Sequence, residues 1–186
     1  MSMMRFTDRQ LEQFAAWEPA DERFSAVDPI AEYITPVIDR LRETGDWHCY
    51  IVESGSLGNY FSFAIRPSYS KDEIPLPQEF QPYRGDGLLV YLSLLCPVGA
   101  IGITSIINSS RLFAIDPLEL NSLLVPSKGN SGMVDAILDA FEGSIYQILD
   151  AETLSQALPA HITPDEYCLC NEPWDRVFHV LFSNTD

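Results

Sequence analysis

Basic residues are scarce in this chain of 186 residues. Its 11 Lys and Arg stand against 27 Asp and Glu, and only Lys71 and Lys128 are lysines, so the formal net charge is −16. A surface of this sign repels nucleic acid and anionic membranes and accelerates encounter with basic partners. We therefore predict a partner with a basic surface, and neither nucleic-acid binding nor membrane association. The alternative interpretation is that the negative charge only keeps the protein soluble.

Motifs for catalysis and cofactor binding are also missing. The chain contains no G-x-S-x-G, H-E-x-x-H or P-loop sequence, and its three histidines stand apart. The pairs Gly55-x-x-Gly58 and Gly85-x-Gly87 lack the strand–turn–helix context of a nucleotide site. General acid–base chemistry therefore has few candidates. We predict no catalytic residue and no cofactor.

The first eight residues lack the apolar segment of a secretory signal, which predicts a cytoplasmic protein with reduced thiols. His48 and Cys49 are neighbours in a predicted strand, so their side chains point to opposite faces and cannot pair. A partner for Cys49 would have to be His161 or His179. An inert, buried thiol is the favoured interpretation.

Cys168-x-Cys170, together with His179, could offer three soft metal ligands. Zinc sites normally use a C-x2–4-C spacing with a matching second pair, and this sequence has neither. In a strand the two sulfurs would share one face and pack in the core. We predict no metal site.

Apolar periodicity predicts one α+β domain over residues 1–186. Strands are predicted at 47–53, 59–65, 88–96, 100–108, 111–115 and 167–170, and helices at 7–17, 29–43, 116–124, 132–149 and 150–158, with an apolar segment at 174–182 docked on the core. Residues 88–110 carry no charge and are long enough to span a membrane. Pro97 and Gly99 near the middle favour two strands joined by a turn instead.

Carboxylates at i, i+4 and i+7 of the predicted 132–149 helix form a surface that we call the acidic ridge. It consists of Asp135, Asp139 and Glu142. Like charges four residues apart destabilise a helix, and the sequence shows no nearby lysine to compensate, which favours an interaction surface over a merely solvated face. A long loop at 66–87, rich in proline, is the second predicted contact region. The predicted partner-binding residues are Asp72, Glu73, Glu79, Asp135, Asp139 and Glu142.

The C-terminal segment, Trp174-Asp175-Arg176-Val177-Phe178-His179-Val180-Leu181-Phe182 through Asp186, resembles the endings of several immunity-protein families from bacterial polymorphic toxin and contact-inhibition systems. The resemblance implies a small, acidic, cytoplasmic and non-enzymatic protein that neutralises a cognate toxin by binding it. It carries over no contact residues. Two alternatives stay open: an enzyme or small-ligand binder with a pocket between the sheet and the 66–87 loop, and an adaptor with an exposed aromatic patch.

Overall fold

A six-stranded sheet forms the centre of the protein, which we describe from a computed structural model. The structure describes residues 4–44, 46–55, 58–68, 83–109, 111–129, 131–164 and 173–183. The strands are β1 (Trp47–Ser54), β2 (Tyr60–Pro67), β3 (Tyr83–Ser93), β4 (Val98–Asn108), β5 (Phe113–Ile115) and β6 (Gln147–Ile148). The first five follow one another in antiparallel order, and β6 pairs in parallel with the start of β4.

Helices cover both faces of this sheet. They are α1 (Asp8–Ala15), α2 (Glu22–Ala26), α3 (Thr35–Glu43), α4 (Gly132–Phe141), α5 (Ala151–Leu154) and α6 (Val177–Leu181). Because strand residues alternate between faces, Leu89 and Tyr91 of β3 pack in the core with α1, α5 and α6. Leu88 and Val90 pack in the opposite core with α2, α3 and α4. The predicted α+β fold is confirmed.

The described part of the uncharged stretch forms two strands, as predicted. β3 and β4 pair in one continuous antiparallel register from Tyr83↔Asn108 to Leu92↔Gly99. The connecting turn lies at 94–97, two residues earlier than the predicted one, because Val98 and Gly99 already pair with β6. Among the described residues, no helix is long and apolar enough to cross a membrane.

The predicted 29–43 helix is broken near Pro36. A π-helical turn, Ile30–Ile34, precedes α3, and the Thr35 N–H donates to the Ile30 carbonyl five residues back. The Thr35 hydroxyl donates to the same carbonyl at 3.0 Å. Proline lacks the N–H that would continue a regular ladder. The π-helical turn therefore lies directly before α3, which contains Pro36 in its first turn.

The predicted 132–149 helix is too long. α4 ends at Phe141, where the Glu142 N–H donates to the Asp139 carbonyl and Gly143 adopts φ +75. A glycine in the left-handed region just past a helix is a common terminator. Ile148 then lies in β6, where its side chain packs on the core from a strand. Ile148 also fits the apolar period of a helix that continues from α4, and for this reason the sequence predicted the helix to extend to residue 149.

Further boundaries differ from the sequence predictions. In the predicted 116–124 helix, only a 3-10 turn, Leu120–Ser122, forms, because Leu123 bridges to Gly102 on the edge of β4. β2 and β3 extend into both ends of the predicted 66–87 loop, and residues 69–82 between them lie outside the described residues. The predicted strand at 167–170 lies outside them as well. The docked C-terminal segment is confirmed, with α6 fully buried in the core.

Candidate partner-binding groove

A groove of about 400 Å³ lies between α3, α4 and the start of β1. Its floor is made of short or apolar side chains, Leu41, Ala136 and Ala140, and its walls carry charge. The remaining lining residues are Arg40, Thr44, Asp46, Trp47, Gly132, Asp135 and Asp139. The groove thus contains two members of the acidic ridge.

Local sequence explains why those carboxylates face outward. Ser131 caps α4 by accepting the Val134 N–H at 3.2 Å. Val134 and Ile137 are buried on the inner side of the helix. Asp135 and Asp139, one turn apart, therefore share the outer side. Asp135 also lies in the first turn, where the partial positive charge of the helix N-terminus favours a carboxylate.

An indole ring forms one wall of the groove. Trp47, the first residue of β1, is half-buried and lies against the start of α4. A Cβ added to Gly132 would meet the Trp47 ring at 3.6 Å, which is ordinary van der Waals distance. The ring therefore offers a flat apolar surface beside the carboxylates, an arrangement that suits the stem and the charge of a basic side chain.

The charges lining the groove are unequal. Three carboxylates, Asp46, Asp135 and Asp139, face one guanidinium, that of Arg40. Arg40 is also used elsewhere, because its Nη1 donates to the Glu142 carbonyl at 3.0 Å. The lining itself therefore carries a formal charge of −2.

A lysine does compensate the ridge, contrary to the sequence prediction. Lys128 Nζ lies 2.6 Å from Asp139 Oδ1. Hydrogen bonding with Asp139 raises the pKa of Lys128. The backbone N–H of Gly129 donates to Asp135 Oδ1 at 2.7 Å. Both contacts come from the loop before α4, whose path the helical pattern could not predict.

The structure describes three of the six predicted partner-binding residues. Asp135 and Asp139 line the groove, whereas Glu142, the exposed C-terminal cap of α4, does not. All three carboxylates contribute to the raised pKa of Lys128. Asp72, Glu73 and Glu79 lie outside the described residues. Their membership of the partner-binding surface stays a prediction, as does the alternative pocket beside the 66–87 loop.

Two thiols and two imidazoles of the described residues are neutral near pH 7. Burial raises the pKa of Cys49 to about 11 and that of Cys96 to about 12. Burial lowers the pKa of His48 and of His179 to about 4 each. A thiolate–imidazolium pair requires the opposite shifts.

The other residues considered for a thiol pair or a metal site either have other partners or lie outside the described residues. His161 lies 3.3 Å from Glu12, and His179 Nδ1 accepts the Arg176 N–H, so each histidine has a local partner. Cys168 and Cys170 lie outside the described residues. Within the described ranges, no three His, Cys, Asp or Glu side chains gather in a way that could hold a metal ion.

Comparison with known proteins finds no matching family model, no matching curated protein and no matching solved structure. The groove must therefore be interpreted from its own residues. Sequence reasoning found Asp135 and Asp139 but missed Asp46, Trp47 and Arg40. No local signal could have found these three, since they come from α3, from the residue before β1 and from its first residue, about 90 positions away along the chain.

Proposed function

We propose that this protein is a non-enzymatic binding protein that takes a basic segment of a partner protein into the groove between α3 and α4. The observation that carries the proposal is the lining of that groove, where three carboxylates and an indole ring surround a floor of small side chains. Immunity proteins that neutralise a toxin by direct binding are the class that this arrangement suits best.

The groove offers a basic side chain two kinds of contact. The Trp47 ring can pack along the aliphatic stem of a lysine or arginine, and a cation over an indole face gains about 0.5–1 kcal/mol at an exposed site. Asp135 and Asp139 can accept its N–H groups. Ala136 and Ala140 leave the floor shallow enough for a backbone to approach.

The net charge supports the same function over longer distances. A chain with a formal charge of −16 attracts a basic partner before contact, and such steering raises association rates by about 10- to 1000-fold at low salt. An inhibitor of a toxin that acts on nucleic acid would gain doubly, because such toxins expose basic clefts and must be blocked quickly. We therefore infer a toxin with a basic surface as the partner.

The described side chains support a role in binding more than one in catalysis. Burial keeps Cys49, Cys96, His48 and His179 neutral near pH 7, and none of these four lines the groove. Groups held in that state are poor nucleophiles and weak bases. The carboxylates of the groove are the polar groups that a partner can reach.

Association kinetics test the proposal. The partner to be used is a candidate toxin domain with a basic surface, expressed with an inactivating substitution. We expect its association rate to fall steeply as salt rises, since screening shortens the field to about 8 Å at physiological ionic strength. The double variant Asp135→Lys with Asp139→Lys should lower the rate about tenfold.

A matched double variant separates the groove from the overall charge. Glu18→Lys with Glu152→Lys changes the net charge equally at two exposed positions outside the groove and outside the 66–87 segment. It should reduce the rate much less. Equal effects of the two variants, or a rate independent of salt, would exclude the groove as the interface. Circular dichroism and thermal unfolding confirm that each variant is folded.

A further inference from the structure

We propose that Lys128 occupies the position that a basic side chain of the partner takes, so that the 124–129 loop competes with the partner for the groove. This inference rests on the proposed function. It adds a regulatory contact to the groove: the protein holds its own cation on Asp139 until a partner displaces it.

Two contacts join the loop to carboxylates at the rim of the groove, whose lining contains no residue of 124–129. Lys128 Nζ lies 2.6 Å from Asp139 Oδ1, and the Gly129 N–H donates to Asp135 Oδ1 at 2.7 Å. Both acceptors line the groove. Adjacent residues of one loop thus supply a donor to each of the two carboxylates that α4 contributes to the groove.

The loop is fixed at both ends, which explains how it reaches these carboxylates. At its start, the Leu124 N–H donates to the Ile101 carbonyl on the edge of β4 at 2.9 Å. Gly129 adopts φ +89, a left-handed conformation that residues with a Cβ rarely adopt. Ser131 then caps α4. The turn directs Lys128 back along the outer side of the helix that follows it.

The Lys128 contact is weak enough to be exchanged. The side chains of Lys128 and Asp139 are 61% and 62% exposed, and Val125 at the start of the loop is 65% exposed. An exposed ion pair changes an equilibrium constant by about fivefold at most. A partner that offers several cations can therefore displace Lys128 without disturbing either core.

Peptide binding to the full chain tests the competition. The probe is a fluorescent hexa-arginine peptide, followed by anisotropy in 50 mM salt. Lys128→Gln removes the internal cation and should tighten binding about two- to fivefold. Arg111→Gln is the matched control, because it removes one exposed cation from the loop before β5 and changes the net charge equally. It should change binding by less than half as much.

A second measurement follows the loop directly. The Gly129 amide proton should lose its hydrogen bond to Asp135 when the peptide binds, and its NMR signal should shift towards the position of a solvent-exposed amide. Such a shift would show that the loop leaves Asp135 as the peptide binds, as the proposal requires. The amide of Gly143, at the far end of α4, is the internal reference.

The outcomes separate the two proposals. If the peptide binds, is weakened by Asp139→Asn, and responds equally to Lys128→Gln and Arg111→Gln, the competition is wrong and the groove remains the binding site. If the peptide does not bind, or binds the Asp135→Lys/Asp139→Lys variant as tightly as the wild type, the proposed function itself is overturned. A Gly129 signal that stays in place while the peptide binds also contradicts the competition.

Discussion

Asn59 and Ser183 are joined by reciprocal side-chain hydrogen bonds across 124 positions of the chain. Asn59 Nδ2 donates to Ser183 Oγ at 2.8 Å, and the Ser183 N–H donates to Asn59 Oδ1 at 2.9 Å. Asn59 Nδ2 also donates to the Val180 carbonyl at 3.0 Å. One buried amide therefore fastens the end of α6 to the start of β2.

Replacing this amide should destabilise the fold strongly. Asn59→Ala leaves the Ser183 N–H and the Val180 carbonyl buried without their partner, and each such group costs about 1–3 kcal/mol. We expect a loss of about 3 kcal/mol in the free energy of unfolding, measured by urea denaturation. Ser183→Ala removes one acceptor only and should cost about 1 kcal/mol. Equal losses for the two variants would contradict the central role of Asn59.

Acid should weaken the protein through His179. Burial lowers the pKa of this imidazole from 6.5 to about 4, and Nδ1 accepts the Arg176 N–H at the start of α6. Below pH 6.5 the unfolded chain therefore binds a proton that the folded chain excludes. The contribution is fully present above pH 6.5 and is lost as the pH falls towards 4.

The variant His179→Gln isolates this effect. Glutamine at the third helical position can accept the same N–H without titrating. Denaturation at pH 7.5 and pH 5 should show a smaller loss of stability in the variant than in the wild type. Identical losses would mean that other groups, such as His48, account for the acid sensitivity.

Two glycines should respond to alanine in opposite ways. At Gly87 in β3, a Cβ would lie 2.7 Å from the Ile65 carbonyl oxygen and would also collide with Ile106. Gly87→Ala should cost about 1–3 kcal/mol. At Gly132 the nearest atom is 3.6 Å away, in the Trp47 ring. Gly132→Ala should stabilise α4 by up to about 1 kcal/mol, and thermal unfolding of both variants provides the comparison.

The thiols of Cys49 and Cys96 should react slowly in the folded protein. Burial raises their pKa values to about 11 and 12, so very little thiolate exists at pH 7.5. Iodoacetamide labelling followed by peptide mass spectrometry should show strong protection of both residues, which disappears in 6 M guanidinium chloride. Rapid labelling of Cys49 without denaturant would contradict the assignment of an inert thiol.

Local periodicity predicted much of the architecture. Capping of α1 by Thr7 and the hairpin of β3 and β4 follow from residues close in sequence. The same reasoning placed Arg66 at the start of a loop, whereas β2 continues to Pro67 and buries it. The Arg66 guanidinium lies over the rings of Tyr50 and Tyr83, at 5.5 and 4.7 Å. A buried cation between aromatic rings from other strands leaves no local pattern.

The groove was predictable only in part, for a similar reason. A helical period suffices to put Asp135 and Asp139 on one side of α4. The opposite wall depends on how α3 and β1 pack against that helix, which is a property of the tertiary structure. The contact of Lys128 with Asp139 depends further on the left-handed conformation of Gly129. The position of the two carboxylates was therefore predictable from sequence, whereas the lysine that pairs with one of them was not.

The outer edge of β4 is occupied along its length. β5 pairs with its end, Leu123 and Leu124 bond to its middle, and β6 pairs with its start. In the described part of the chain, β1 is thus the one long strand whose outer backbone groups meet no neighbouring strand. A growing fibre needs two free edges on every subunit. In the described sheet the edge opposite β1 consists of the three residues of β5 and the two of β6, which is a much shorter template than the eight residues of β1. The described edges therefore favour the pairing of two β1 strands over open-ended growth.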